Sequence, residues 1–206
     1  MAKLDLKKEF RQLYNPSSKD CSIVDVPEMQ FLMIDGAGDP NTSVAYAEAI
    51  EALYAMAYTL KFISKTTEDV DHVVMPLEGL WWTPDMAEFS MDDKSAWEWT
   101  AMIVQPDHIT AAHFAAATDE VRKKKEPPAL DRIRYEPYAE RLAAQILYFG
   151  PYADEAPTIE RLHQFAADSG YQLRGKHHEI YLSDPRRTAP ERLRTVIRQS
   201  IEPRPV

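Results

Sequence analysis

The chain has 206 residues, 45% hydrophobic, 28% charged and 10% aromatic, a balance that suits one folded domain or two small packed ones and excludes a fibre or a disordered chain. Lys and Arg total 24 against 33 Asp and Glu, and the net charge of -9 argues against direct nucleic-acid binding or adherence to anionic lipid. The single cysteine, Cys21, excludes an intramolecular disulfide and a multi-cysteine zinc site and points to a reducing compartment. The N-terminus has no apolar core of a secretion signal, and no apolar run reaches the ~20 residues that span a bilayer, so a cytoplasmic protein with no membrane role is expected.

Six glycines and fifteen prolines punctuate the chain. Residues 4–14 place Leu6, Phe10 and Leu13 on one stripe of a short amphipathic helix that stops before Asn15-Pro16. An apolar run at 29–34, ended by Asp35-Gly36-Ala37-Gly38-Asp39-Pro40, predicts a buried strand and a turn. Thr42 or Ser43 then caps a helix whose stripe is Tyr46, Ile50, Leu53, Ala57 and Leu60. Residues 73–82, interrupted by Pro76, read as a strand with an edge or bulge, and 97–104 as another. An Ala-rich helix over 110–125 ends in Arg122-Lys123-Lys124-Lys125, a basic run that complements the helix dipole. The second half repeats the order, with a strand over 142–149, a helix over 154–168 and strands over 171–183 and 193–201.

Both halves therefore read strand, helix, strand, strand, an α+β architecture built by duplication of a βαββ repeat. The expected division is an N-terminal helical extension over 1–25 and a ligand-binding domain over 26–206. In the latter, repeat one spans about 26–109, a connecting helix about 110–126 and repeat two about 140–203. A closer correspondence supports duplication: Glu78 precedes Pro84 by six residues, as Glu179 precedes Pro185, and Trp99-Thr100-Ala101-Met102 aligns with Arg194-Thr195-Val196-Ile197.

An anionic glutamate inside an apolar strand is costly unless something pairs with it. Alternation puts Glu179 on one face with His177 and Tyr181, and Glu78 on a face with Leu80 and Trp82. Taken singly, each glutamate also fits an open sheet face or an ion pair. Together, two equivalent strand glutamates flanked by indoles and phenols favour a shared cleft suited to a flat cationic or electron-poor ligand.

The stretches Leu77-Glu78-Gly79-Leu80-Trp81-Trp82, His177-His178-Glu179-Ile180-Tyr181-Leu182-Ser183-Asp184-Pro185-Arg186-Arg187 and Leu193-Arg194-Thr195-Val196-Ile197-Arg198-Gln199 closely resemble the stand-alone GyrI-like small-molecule-binding proteins. The resemblance implies a duplicated βαββ fold with pseudo-two-fold symmetry and a ligand cleft between the halves, related to the effector-binding domains of multidrug-responsive bacterial transcription activators, with Glu179 meeting the ligand. It also implies that some stand-alone members detoxify by hydrolysing the electrophilic cyclopropane of DNA-alkylating natural products, and that members of the wider family bind DNA gyrase. The first 25 residues are too short for the activators' DNA-binding module.

The expected function is binding of a hydrophobic planar or cationic small molecule for sequestration. Hydrolysis is the alternative, with Glu179 as base and Glu78 or Tyr181 orienting water, and inhibition of a protein partner is a third. The candidate ligand-binding residues are Glu78, Trp81, Trp82, Trp97, Trp99, Tyr148, Tyr152, His177, Glu179 and Tyr181. Trp97 and Trp99 fit core packing as well as cleft lining, and Tyr148 and Tyr152 straddle the Gly150-Pro151 turn. His177 and His178 are adjacent and so point to opposite faces, the wrong arrangement for one metal, and no cofactor is expected. Phosphate-cradling, dinucleotide and serine-elbow motifs are absent.

Overall fold

The computed structural model describes residues 3–86 and 93–205, so residues 1–2, 87–92 and 206 of the sequence-based division lie outside it. Two single-turn helices, α1 (Leu6–Glu9) and α2 (Arg11–Tyr14), replace the continuous helix expected there, with the break at Phe10. They are followed by β1 (Ser22–Ala37), α3 (Val44–Thr67), β2 (Glu78–Trp82), β3 (Glu98–Gln105) and α4 (Ala111–Lys124). The second half supplies β4 (Arg134–Phe149), α5 (Ala156–Asp168), β5 (Tyr171–Tyr181) and β6 (Arg194–Pro203). Ser43 caps α3 through its side chain, and Thr110 caps α4 in a reciprocal box with His113.

The six strands close into an antiparallel barrel in the order β1-β3-β2-β5-β6-β4. That order is the duplication made spatial: β1-β3-β2 and β4-β6-β5 are the same arrangement, joined through β2 with β5 and β1 with β4. Glu78 lies opposite Met102 in the first half and Glu179 opposite Ile197 in the second, the register that the sequence correspondence requires.

Element lengths differ from expectation for identifiable reasons. β1 and β4 run 16 residues each because they pair with one another over Ser22–Met33 and Arg134–Gln145, which satisfies the backbone of their polar ends. β2 begins only at Glu78, because Pro76 removes an amide donor from the segment before it.

Helices α3 and α5 cover the outward face. Ala49, Ala52, Leu53, Met56 and Leu60 of α3 are buried, while Ile159, Leu162 and Ala166 of α5 pack with Ile146 and Ile197. The inward face holds a polar cluster on β2, β4, β5 and β6. His178 directs Nε2 to Glu78 (3.0 Å) and Nδ1 to Glu140 (2.9 Å); Arg198 donates to Glu140 (3.2 Å), to Gln145 (3.1 Å) and to the Leu13 carbonyl (2.8 Å). Tyr14 of α2 donates to Glu78 (3.0 Å), so the N-terminal turns are anchored on this cluster. Glu140 and Gln145 are five apart and would face opposite ways on a regular strand. Arg141, with φ of 65°, interrupts the alternation opposite Val26, beside the unpaired Pro27, and lets both reach Arg198.

Candidate ligand-binding site

The same registers that establish the duplication separate its two glutamates. Across the seam of the halves, Glu78 pairs with Ile180 and Gly79 with Glu179, which are successive rows. Successive rows point to opposite faces of a sheet, so Glu179 faces outward under the helices and Glu78 faces the inner cluster. The expectation that both carboxylates share one cavity, and that Glu78 contacts ligand or orients water beside Glu179, is therefore corrected.

A cavity of about 870 Å³ lies over the β2–β5 seam. Its walls come from both halves: Tyr46, Tyr54 and Tyr58 of α3, Trp81 of β2, Lys94 and Trp97 ahead of β3, Tyr152 and Glu155 ahead of α5, and Glu179 and Tyr181 of β5, with 182–186 at its edge. Trp81 lies 5.5 Å from Tyr46 and 5.3 Å from Trp97 between ring centres, and Tyr152 meets Tyr181 edge-on at 5.4 Å. Gly79 makes room for this wall. A Cβ there would stand 2.7 Å from the Trp81 indole nitrogen, which instead donates to the Tyr181 hydroxyl at 3.1 Å.

Glu179 is 5% exposed and held by two donors: the Tyr181 hydroxyl gives its proton to Oε2 at 2.7 Å, and His177 Nε2 faces Oε1 at 3.1 Å. Burial alone would raise this carboxyl, but the hydrogen bond and charge of His177 with the Tyr181 bond outweigh it and keep Glu179 below the ordinary carboxylate range. Burial, then the Glu179 charge, raises the Tyr181 hydroxyl well above the usual phenol range, so it stays a donor. Glu155 is the opposite case. It is fully buried with no hydrogen bond of good geometry among the described residues, and burial together with Glu179 pushes it up to about 10.

Of the sequence-derived candidates, Trp81, Trp97, Tyr152, Glu179 and Tyr181 line the cavity. His177 braces Glu179 from beneath it. Trp99 is packed under Tyr46 at 5.0 Å and is fully buried. Trp82 points inward, bonds Glu98 at 2.8 Å and carries the Lys176 ammonium 3.1 Å above its ring. Tyr148 donates to the Pro151 carbonyl at 3.1 Å. Neither Trp82, Trp99 nor Tyr148 is a wall residue, and these three are corrected. Tyr54, Tyr58, Lys94 and Glu155 escaped the sequence analysis, and Tyr46 was placed in the core. One signal was available: Tyr46, Ile50, Tyr54 and Tyr58 recur every fourth residue, a row that drifts around the helix off its core stripe and along the cavity.

Among the described residues no group of three or more His, Cys, Asp or Glu is arranged to hold a metal, and no helix is long and apolar enough to cross a membrane.

The GyrI-like small molecule binding domain matches residues 19–200, most of the chain, and the protein belongs to that family. Among solved structures, an uncharacterized conserved protein from Listeria innocua is 39% identical, with a TM-score of 0.90 over 97% of this chain and 100% of that one. A hydrolase from the same organism is 38% identical, with a TM-score of 0.88 over 98% and 100% of the two chains. The EcmrR C-terminal domain shares the fold at 11% identity and a TM-score of 0.55, covering 90% of this chain and 98% of that domain. No curated protein sequence matches the chain.

Proposed function

We propose that the protein captures a flat, hydrophobic, cationic small molecule in the cavity over the β2–β5 seam, with Glu179 as its counter-charge. The observation that carries this reading is a buried, ionised carboxylate set among aromatic walls in a space of about 870 Å³, within the size range of drug-sized ligand sites. Indole and phenol faces attract a planar cation by stacking and by their quadrupoles, and a desolvated carboxylate strengthens that attraction. Lys94, 4.7 Å above the Trp97 ring, stands in the same wall, so an incoming cation competes with it for the field of Glu179.

Hydrolysis is the second reading, favoured by the 38% identity to a protein described as a hydrolase. In it, Glu179 takes a proton from water while the Tyr181 hydroxyl positions that water or the carboxylate. The lowered pKa of Glu179 counts against efficient proton abstraction at neutral pH, because a weak base gains little driving force. Capture is accordingly the primary function proposed, as sequestration of a harmful compound.

Glu179→Gln separates the readings, since it keeps shape while removing charge and basicity. For capture, a cationic planar dye should weaken by about 1–3 kcal/mol in a binding titration while a neutral analogue of the same shape hardly changes. For hydrolysis, water addition to an electrophilic ring substrate, followed by mass spectrometry, should slow by about 10²–10⁴-fold. A variant unaltered in both measurements removes Glu179 from the site.

A further inference from the structure

Capture of a cation by Glu179 leaves Glu155 without a task. Its backbone carbonyl accepts the first amides of α5, from Thr158 (2.9 Å) and Ile159 (3.0 Å), whereas its carboxyl lines the cavity with both oxygens buried and unpartnered among the described residues. A buried polar group without a partner is destabilising, and the open space beside it belongs to the ligand. The two carboxyls act on each other, and two such groups in a buried site do not both ionise. Glu179 has two donors of good geometry, whereas only Thr195 and Lys94 favour an ionised Glu155, so the charge rests on Glu179 and the proton on Glu155.

We propose that Glu155 is a binding residue that presents a carboxylic acid O–H to the ligand, selecting molecules that carry an acceptor atom, a carbonyl oxygen or ring nitrogen, as well as the cationic or N–H edge that meets Glu179. The preferred ligand is thus a planar heteroaromatic with donor and acceptor groups together, rather than a bare hydrocarbon cation. The groups facing Glu155 are Glu179 on β5, Thr195 on β6, Tyr148 on β4, Tyr152 beside it and Lys94 ahead of β3. Burial and Glu179 favour the protonated form, Thr195 and Lys94 oppose it, and the balance near 10 keeps the acid protonated at neutral pH.

This inference rests on the capture reading, and the test keeps the two apart. Acridine orange titrated against the wild-type protein tests capture alone. Phenanthridinone, with N–H and carbonyl on one edge, is then compared with dihydrophenanthridine, which keeps the N–H and lacks the carbonyl. The wild-type protein should prefer phenanthridinone by about tenfold. E155Q should retain most of that preference, because an amide still donates, and E155L should erase it. A dye that does not bind removes both ideas. Binding of the dye with no carbonyl preference in the wild type, a preference that survives in E155L, or one lost as fully in E155Q as in E155L overturns the role of Glu155 and leaves capture standing.

Discussion

Glu179 and Glu155 show how differently two buried acids announce themselves. Glu179 interrupts an apolar strand, a conflict with propensity visible in the sequence, and the structure resolves it with His177 and Tyr181. Glu155 stands before a helix, where an acid is ordinary, and only tertiary packing makes it costly. Its folded pKa of about 10 exceeds the ordinary value of 4.5, so the folded state holds the proton more tightly. Stability from that proton is present below about pH 4.5 and is lost as pH rises toward 10. E155Q should therefore raise the melting temperature at pH 7, by the equivalent of about 1–3 kcal/mol, and flatten its decline between about pH 5 and 9. Identical melting profiles for variant and wild type would contradict the buried-acid assignment. Gly79→Ala makes a second expectation: its Cβ displaces the Trp81 indole, so the Trp81–Tyr181 bond is lost. Dye affinity should fall about tenfold, with a red-shifted tryptophan emission that reports the moved indole. Wild-type affinity and emission would show that the wall tolerates the methyl.

At the scale of elements, β5 divides its work between two faces. Glu179 and Tyr181 serve the cavity, and His178, one residue before Glu179 and on the opposite face, holds the inner cluster. Burial would lower the His178 pKa, yet Glu140 and Glu78 raise it to about 9, while Glu140, despite burial, is held at about 2 by His178 and Arg198. The His178 contribution is complete below about pH 6.5 and is lost as pH rises through 9; the Glu140 contribution is present above about pH 4.5 and is lost toward pH 2. His178→Gln should lower the melting temperature at pH 6 and lessen the difference in stability between pH 6.5 and 9. A full wild-type slope in the variant would assign the alkaline loss elsewhere. Alternation along β5 was legible in the sequence, as was the helical stripe of α3. The wall on α3 was not, because Tyr46, Tyr54 and Tyr58 read as helix aromatics until the neighbouring half supplies the other side of the cavity.

For the whole molecule, the repeat order and its internal register were written in local pattern and in the Glu78 and Glu179 correspondence. What local pattern does not contain is how the halves meet. That depends on pairing between residues about 100 apart, and a difference of one row decides whether two equivalent side chains share a cavity or face away from each other. At the seam Glu78 and Glu179 stand in successive rows, so the fold carries one outward acid there and buries its sequence counterpart in an ion cluster. A quenching experiment follows: acridine orange should quench tryptophan emission in W82F much as in wild type, and less in W81F or W97F. Equal quenching in all three variants would remove the cavity indoles from the site. The most direct measurement is a crystal structure of the protein with acridine orange bound. The dye is expected between the α3 tyrosines and Trp81, with its cationic edge against the Glu179 carboxylate. A dye seated elsewhere, or one stacked in the cavity with its charge turned away from Glu179, would contradict the proposed mode of capture.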